Sequence, residues 1–355
     1  MAYGIQPIPR NKVEGETVQQ EIVLRITDLH TNFYTNMRCN KVLKGISLEV
    51  ERGKTLCIVG ESGCGKSVTA ASVMQLIPDL ARIESGEIVL YDNGQDIHIE
   101  TLDKYGKSMS DLRGSKMAMI FQDPMSALNP VYSIGFQIIE MIRQHTKISK
   151  SRAKEKAISL LREMGISSPE TRINDFPHQF SGGMRQRAMI AMAMSCEPKL
   201  LIADEPTTAL DVTVQAQIFS LMEKLKREHG TAVMMITHDM GVVAEMADDV
   251  VVMYMGYIVE RGTVHQVLKN STHPYTVGLM QSIPMIGKGK KQKLQPIRGC
   301  TADPYDTNPG CPFVTRCDFS TQLCHDHMPE EVTVSGNHKV RCHNPIQKGA
   351  VDART

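Results

Sequence analysis

The eight residues Gly60-Glu61-Ser62-Gly63-Cys64-Gly65-Lys66-Ser67 follow the spacing G-x-x-x-x-G-K-[ST], which suits the holding of a polyphosphate. Glycines at these positions let the backbone take left-handed angles and turn its N–H groups inward. Those donors, with the positive end of a following helix, cradle phosphate oxygens. Lys66 would reach the β- and γ-phosphates, and the Ser67 hydroxyl would hold Mg²⁺. Farther along, the apolar run 199–203 ends in Asp204-Glu205. Asp204 is placed to bind Mg²⁺, directly or through water, and Glu205 to polarise an attacking water as general base. Gln122, Ser181-Gly182-Gly183, Ala209-Leu210-Asp211 and His238 complete the set of candidates, each at the end of an apolar run or the start of a helix.

Such groups need strands and helices to aim them. The apolar run 55–59 before the loop reads as a strand, and 67 to about 76 as a helix stopped by Pro78. Strands are expected at 21–29, 42–50, 87–91 and 116–121, and a polar stretch at 92–115. From Met125 to Gln179 the pattern is helical: Ala157, Leu160, Leu161 and Met164 share one face, and Gly165 is a natural stop. Ser181 is a plausible N-cap of the next helix. The runs 199–203 and 231–236 are continuously apolar, as buried parallel strands are. Between them Ile218, Leu221, Met222 and Leu225 line one helix face, and 250–260 reads as a hairpin. Alternating strands and helices imply an α/β fold with a mostly parallel sheet and its ligand loops at the carboxyl ends of the strands.

Composition narrows the function classes. Forty Lys+Arg against 39 Asp+Glu give a formal net charge of +1 over 355 residues, so no global basic field points to nucleic acid. No run of 18 apolar residues could span a bilayer, and the N-terminus carries no apolar secretory region. A cytosolic protein able to dock on a membrane protein is expected. Residues 1–20 read as a flexible tail, and Gly287-Lys288-Gly289-Lys290-Lys291 as a linker whose charge is solvated surface.

The order of Gly60–Ser67, Gln122, Ser181-Gly182-Gly183, Asp204-Glu205, Ala209-Leu210-Asp211 and His238 resembles the ATP-binding-cassette (ABC) family over residues 22 to about 262. The wording 121–130, Met184-Arg185-Gln186-Arg187 and 207–213 is similar to the ATPase subunits of oligopeptide/dipeptide importers, including Met184 where many cassettes carry glutamine. The resemblance implies a P-loop ATPase domain over 21–270, with an antiparallel β subdomain and a helical subdomain at about 125–195. It also implies a small cysteine-rich C-terminal extension over 271–355. It implies ATP and Mg²⁺ on Gly60, Ser62, Gly63, Cys64, Gly65, Lys66, Ser67 and Asp204, with Phe33, or its neighbour Tyr34, stacking on adenine. Gln122 would sense the metal and the attacking water, and His238 would bridge the γ-phosphate and Glu205. Ser181, Gly182, Gly183 and Asp211 would act in trans, on ATP held by a second ABC ATPase subunit. Donors on several sides of one triphosphate make such a shared site chemically reasonable. ATP-driven closure of the dimer and hydrolysis-driven opening could then power a transporter. The expected partners are two transmembrane permeases and an extracytoplasmic solute-binding protein, placing the chain at the cytoplasmic face of the membrane. Nickel, sugars or another solute, or a non-transport ABC ATPase, remain alternatives.

Five of nine cysteines fall late in the chain. In a cytosolic protein that crowding favours a metal over disulfides. Cys311-x5-Cys317-x6-Cys324 followed by Cys342 supplies four thiolates but lacks the C-x2-C pairs common in zinc sites. Some importer ATPases with a similar tail carry a [4Fe-4S] cluster, so the resemblance implies these four as ligands, with Cys300 spare. Zn²⁺ and free thiols are the alternatives.

Overall fold

Every residue of the strand before the phosphate-binding loop is buried, as expected of a strand covered on both faces. The computed structural model describes residues 21–35, 38–207, 212–282, 297–301, 303, 305 and 309–346, the Leu225 side chain apart. Asp211, the 1–20 tail and the 287–291 linker lie outside the described residues.

The strands are β1 (Ile22–Thr35), β2 (Arg38–Glu51), β3 (Thr55–Val59), β4 (Ala81–Asp92), β5 (Gln95–His98) and β6 (Met117–Ile120). They continue with β7 (Leu200–Asp204), β8 (Ala232–Ile236), β9 (Asp249–Tyr254), β10 (Tyr257–Thr263), β11 (Glu331–Ser335) and β12 (His338–Arg341). The first sheet is antiparallel, in the order β2-β1-β4-β5. The second runs β11-β12-β10-β9-β3-β8-β7-β6. Its β9-β3-β8-β7-β6 core is parallel, and β10, β12 and β11 continue it as an antiparallel edge. Side chains of a strand alternate between faces, and β3 feeds two cores accordingly. Cys57 and Val59 join a core with the helices, whereas Leu56 and Ile58 join one against the first sheet.

Helix α1 (Lys66–Val73) leaves the phosphate-binding loop directly. It is shorter than its sequence suggests, because Gln75 takes φ 50° and its N–H bonds Ser72 O, turning the chain before Pro78. Strand β4 is longer than its apolar stretch, because the partly polar residues before it, Ala81, Arg82 and Ile83 among them, continue its pairing with β1. The polar stretch 92–115 is not featureless: it holds β5 and the short helix α2 (Lys107–Leu112).

A helical layer follows β6: α3 (Pro124–Ala127), α4 (Ile134–His145), α5 (Lys150–Glu163), α6 (Pro169–Arg172) and α7 (Gly182–Met194). Asp123, Ser133, Ser149 and Ser181 each cap one of these with a side-chain oxygen. Gly165, with φ 69°, ends α5 as its position suggests. Helices α8 (Val212–His229) and α9 (Met240–Met246) flank β8, and α10 (Val264–Lys269), α11 (Pro274–Gln281) and α12 (Gln322–Asp326) follow β10. Among the described residues no helix is long and apolar enough to cross a membrane.

The late part of the chain is joined to this fold by buried polar bonds. Glu260 of β10 accepts from Thr272 N (2.7 Å), Thr272 Oγ (3.0 Å) and His273 N (3.0 Å), and it pairs with His338 Nε2 of β12 (2.8 Å). Burial opposes its charge, but these partners outweigh it and hold the carboxyl below its ordinary range.

Candidate functional site

The loop between β3 and α1 is set by close backbone approach. A Cβ on Gly60, whose φ is 151°, would lie 2.2 Å from Met253 O at the end of β9, so only glycine fits. Ser62 and Gly63 are exposed at the tip, and a Cβ on Gly63 would meet nothing within 4 Å. Lys66 is buried and folds back over the loop, donating to Gly60 O (2.7 Å) and Glu61 O (2.9 Å). Cys64 is buried beside it. Burial pushes its thiol up while Lys66 pulls it back, so it packs as a neutral side chain.

Parallel strands β3 and β7 flank β8, and the carboxyl ends of this part of the sheet bring the remaining groups to the loop. Ser67 Oγ donates to Asp204 Oδ1 at 3.2 Å. Burial pushes the Asp204 carboxyl up, with Ser67 and Lys66 acting against it. A buried carboxylate and a hydroxyl in contact, facing a cationic lysine, form a donor set suited to Mg²⁺ on a phosphate. Glu205 follows with φ 46°, a left-handed conformation that is strained for a side-chain-bearing residue. Its carboxylate accepts from Gln122 Nε2 at 2.9 Å and meets His238 Nδ1 at 3.0 Å. Gln122 and His238 are exposed, so the acid lies at a solvent-facing mouth where water can be activated.

Sequence reading places Ser67, Gln122, Asp204, Glu205 and His238 together, and so does the structure. Ser181-Gly182-Gly183 stands elsewhere. It opens α7, where Ser181 and Gly183 share a pocket with Gly165, Ser167, Arg187, Val214 and Gln217, none of them in the phosphate-binding loop. Ser181 caps the helix through Met184 N, while Ser181 and Gly182 are exposed. Two bonds connect this helix to the reacting end: Gln186 donates to Pro206 O just after Glu205, and Arg185 contacts Met125 Sδ of α3. Phe33 is half-buried on β1 opposite Asn40 and Ala81. Tyr34 is engaged by Glu84, through its hydroxyl at 2.6 Å, and by Arg82 over its ring.

The four late cysteines converge on one pocket. Cys311, Cys317, Cys324 and Cys342 line one pocket with Phe313 and His343, and all are free thiols. Burial pushes the Cys311 thiol up to about 11 and the Cys342 thiol up to about 12. Among the described residues no group of three or more His, Cys, Asp or Glu side chains is arranged to hold a metal ion. The [4Fe-4S] expectation, and zinc with it, therefore finds no support in this arrangement.

Sequence reading overlooked Glu61, Tyr254, Tyr275 and Arg316. Arg316 pairs with Glu61 inside the phosphate-binding loop through two contacts, at 2.7 and 2.9 Å. No local spacing signals a pair 255 positions apart.

The family described as ABC transporter matches residues 43–208, and that described as oligopeptide/dipeptide transporter, C-terminal region, matches 259–324. A probable peptide ABC transporter ATP-binding protein of Sinorhizobium fredii is 46% identical over 323 residues, 91% of this chain and 95% of that protein. The dipeptide transport ATP-binding protein DppD of Bacillus subtilis is 44% identical, covering 91% and 94%. Among solved structures, the cassette MJ0796, a post-hydrolysis dimer bound to ADP and phosphate, superposes with a TM-score of 0.60. At 24% identity, over 68% of this chain and 98% of that one, it speaks for the fold alone. The cassette cbiO1 of Clostridium perfringens gives a TM-score of 0.58 at 27% identity, covering 70% and 91%.

Proposed function

This chain belongs to the ABC transporter family of ATP-hydrolysing subunits, and on that footing we propose that it powers import of di- and oligopeptides through a membrane transporter. The observation that carries this reading is the meeting of Lys66, Ser67 and Asp204 with Gln122, Glu205 and His238 at the carboxyl ends of parallel strands. The relatives named for peptide and dipeptide transport, matched over most of their length, supply the solute class. They favour peptides over nickel, sugars or a non-transport role.

In this mechanism the loop N–H groups from Gly60 to Ser67 and Lys66 bind the triphosphate of ATP, and Lys66 exchanges its loop carbonyls for phosphate oxygens. Ser67 and Asp204 would hold Mg²⁺, which would supply charge neutralisation on the phosphates. Gln122 and His238 fix the Glu205 carboxylate, which takes a proton from the attacking water. Exposed Ser181 and Gly182, with Gly183, serve ATP on a second cassette subunit, and Asp211 belongs to that seam. The exposed Gln122 loop and the helical layer behind it face the permeases. This assembly, with two permeases and an extracytoplasmic binding protein, would place the chain at the cytoplasmic face of the membrane. Phe33 is the adenine platform, because Arg82 already lies over the Tyr34 ring.

A division at residue 270 into cassette and C-terminal extension, and an iron–sulfur cluster on Cys311, Cys317, Cys324 and Cys342, complete the proposal. The cluster is argued from the spacing of these four cysteines, which line one pocket, and not from a metal-holding arrangement among the described residues. Anaerobic purification should then give brown protein with about four irons per chain; colourless protein without iron would end that part.

The import reading is tested with this chain and its co-purified permeases in vesicles. Di- or oligopeptide, delivered with the binding protein, should raise ATP turnover. Stimulation by nickel or a sugar instead would overturn the peptide assignment.

A further inference from the structure

The Gly60–Glu61 peptide unit is gripped from both sides. Lys66 donates to its carbonyl, Gly60 O, at 2.7 Å, and its N–H, on Glu61, donates to the Tyr275 hydroxyl at 2.8 Å. The Glu61 side chain leaves the loop and receives a two-pronged ion pair from Arg316, at 2.7 and 2.9 Å. Arg316 is itself fixed: Nε donates to Arg298 O at 2.8 Å, and Nη1 also reaches the Tyr254 hydroxyl at 3.3 Å. Its side chain is 5% exposed. Beneath, Tyr254, Tyr275 and Phe313 pack ring against ring, with centroids 4.7 to 5.4 Å apart. Tyr275 is fully buried and cannot swing away cheaply.

Tyr275 and Arg316 lie far beyond the last nucleotide motif, His238, yet they hold the second residue of the phosphate-binding loop by its N–H and its carboxylate. Bidentate arginine–carboxylate bonds fix orientation as well as charge, and removal of one partner from a shielded pair is costly. A phosphate cradle depends on pre-set amide directions, because a loop that must reorder on binding loses affinity.

We propose that Tyr275 and Arg316 are positioning residues for nucleotide binding, holding the Gly60–Glu61 peptide in the orientation from which Lys66 and the loop amides receive the phosphates. The segment after the cassette is thereby a structural part of the ATP site. This inference rests on the assignment of Gly60–Ser67 to the nucleotide.

The test is MgATP titration of the purified full chain by calorimetry, with thermal unfolding of each variant alongside. Tyr275→Phe keeps the ring and removes only the hydroxyl; Arg316→Met removes the fork. Each should weaken MgATP roughly tenfold, and Arg316→Lys should recover part of that loss. Glu61→Gln should match Arg316→Met, and the double variant should be no weaker than either single one, since all three break one contact. If Arg316→Met unfolds, Tyr275→Phe and Arg316→Lys decide the matter. Unchanged MgATP affinity in folded Tyr275→Phe and Arg316→Lys, with only the unfolding midpoint lowered, would overturn the proposal. Lys66→Ala separates the two levels: native affinity there would overturn the nucleotide assignment and this inference with it.

Discussion

Glu205→Gln should separate binding from hydrolysis. The carboxylate takes one contact from Gln122 at 2.9 Å and one from His238 at 3.0 Å. An amide offers a single acceptor oxygen, so one of the two contacts would become donor against donor. Gln122 is exposed and its amide can turn to present oxygen instead. The net cost is then that of about one hydrogen bond, about 1 kcal/mol, and the backbone at φ 46° is unchanged in type. At about 1.4 kcal/mol per tenfold, MgATP affinity should move by less than about tenfold. Loss of the general base should lower turnover by about 10²–10⁴-fold, equivalent to about 3–5 kcal/mol of barrier. Both numbers come from one preparation: calorimetric titration with MgATP, then phosphate release at saturating MgATP. Undiminished turnover would reject Glu205 as the base. Turnover and affinity lost together would show that its carboxylate supports the cradle, and would refute a division of labour between binding and hydrolysis.

Two further outcomes follow from buried geometry. Burial holds His273 down to about 4 from an ordinary 6.5, with the Glu260 carboxylate opposing and His338 on the far side of that acid. The folded state therefore keeps His273 neutral, so its contribution is complete above pH 6.5 and lost as pH falls towards 4, about 3 kcal/mol in all. His273→Asn keeps an acceptor for Tyr275 N–H, so urea unfolding of this variant between pH 7 and 4.5 should show a shallower loss; an identical slope would contradict the assignment. Gly60→Ala would drive a Cβ to within 2.2 Å of Met253 O and should abolish MgATP binding. Gly63→Ala, with open space but φ 80°, should cost only about 1–2 kcal/mol, and equal calorimetric losses in the two variants would contradict the steric argument.

What the sequence made legible was local. The apolar runs at β3, β7 and β8 declared buried parallel strands because each is short, continuous and followed by a motif. Ser181 and Gly165 marked helix ends through their own chemistry. The reacting groups could be grouped because strand ends in a parallel sheet share one edge. The exposed half of β4 was not legible, since pairing with β1 rather than burial holds it. Nor was the hold of Arg316 and Tyr275 on Glu61, or of His338 on Glu260, because these contacts join distant segments through tertiary packing. The cysteines show the reverse: four of them, grouped by sequence, do gather in one pocket, but the described residues show no arrangement that holds a metal ion.

The most direct measurement is uptake of labelled di- and oligopeptides by cells whose only copy of this chain is native or Glu205→Gln. Uptake with the native chain and its loss with the variant, at equal protein level, is the predicted result. Equal uptake of every peptide by both would contradict the claim that ATP hydrolysis at this site powers peptide import.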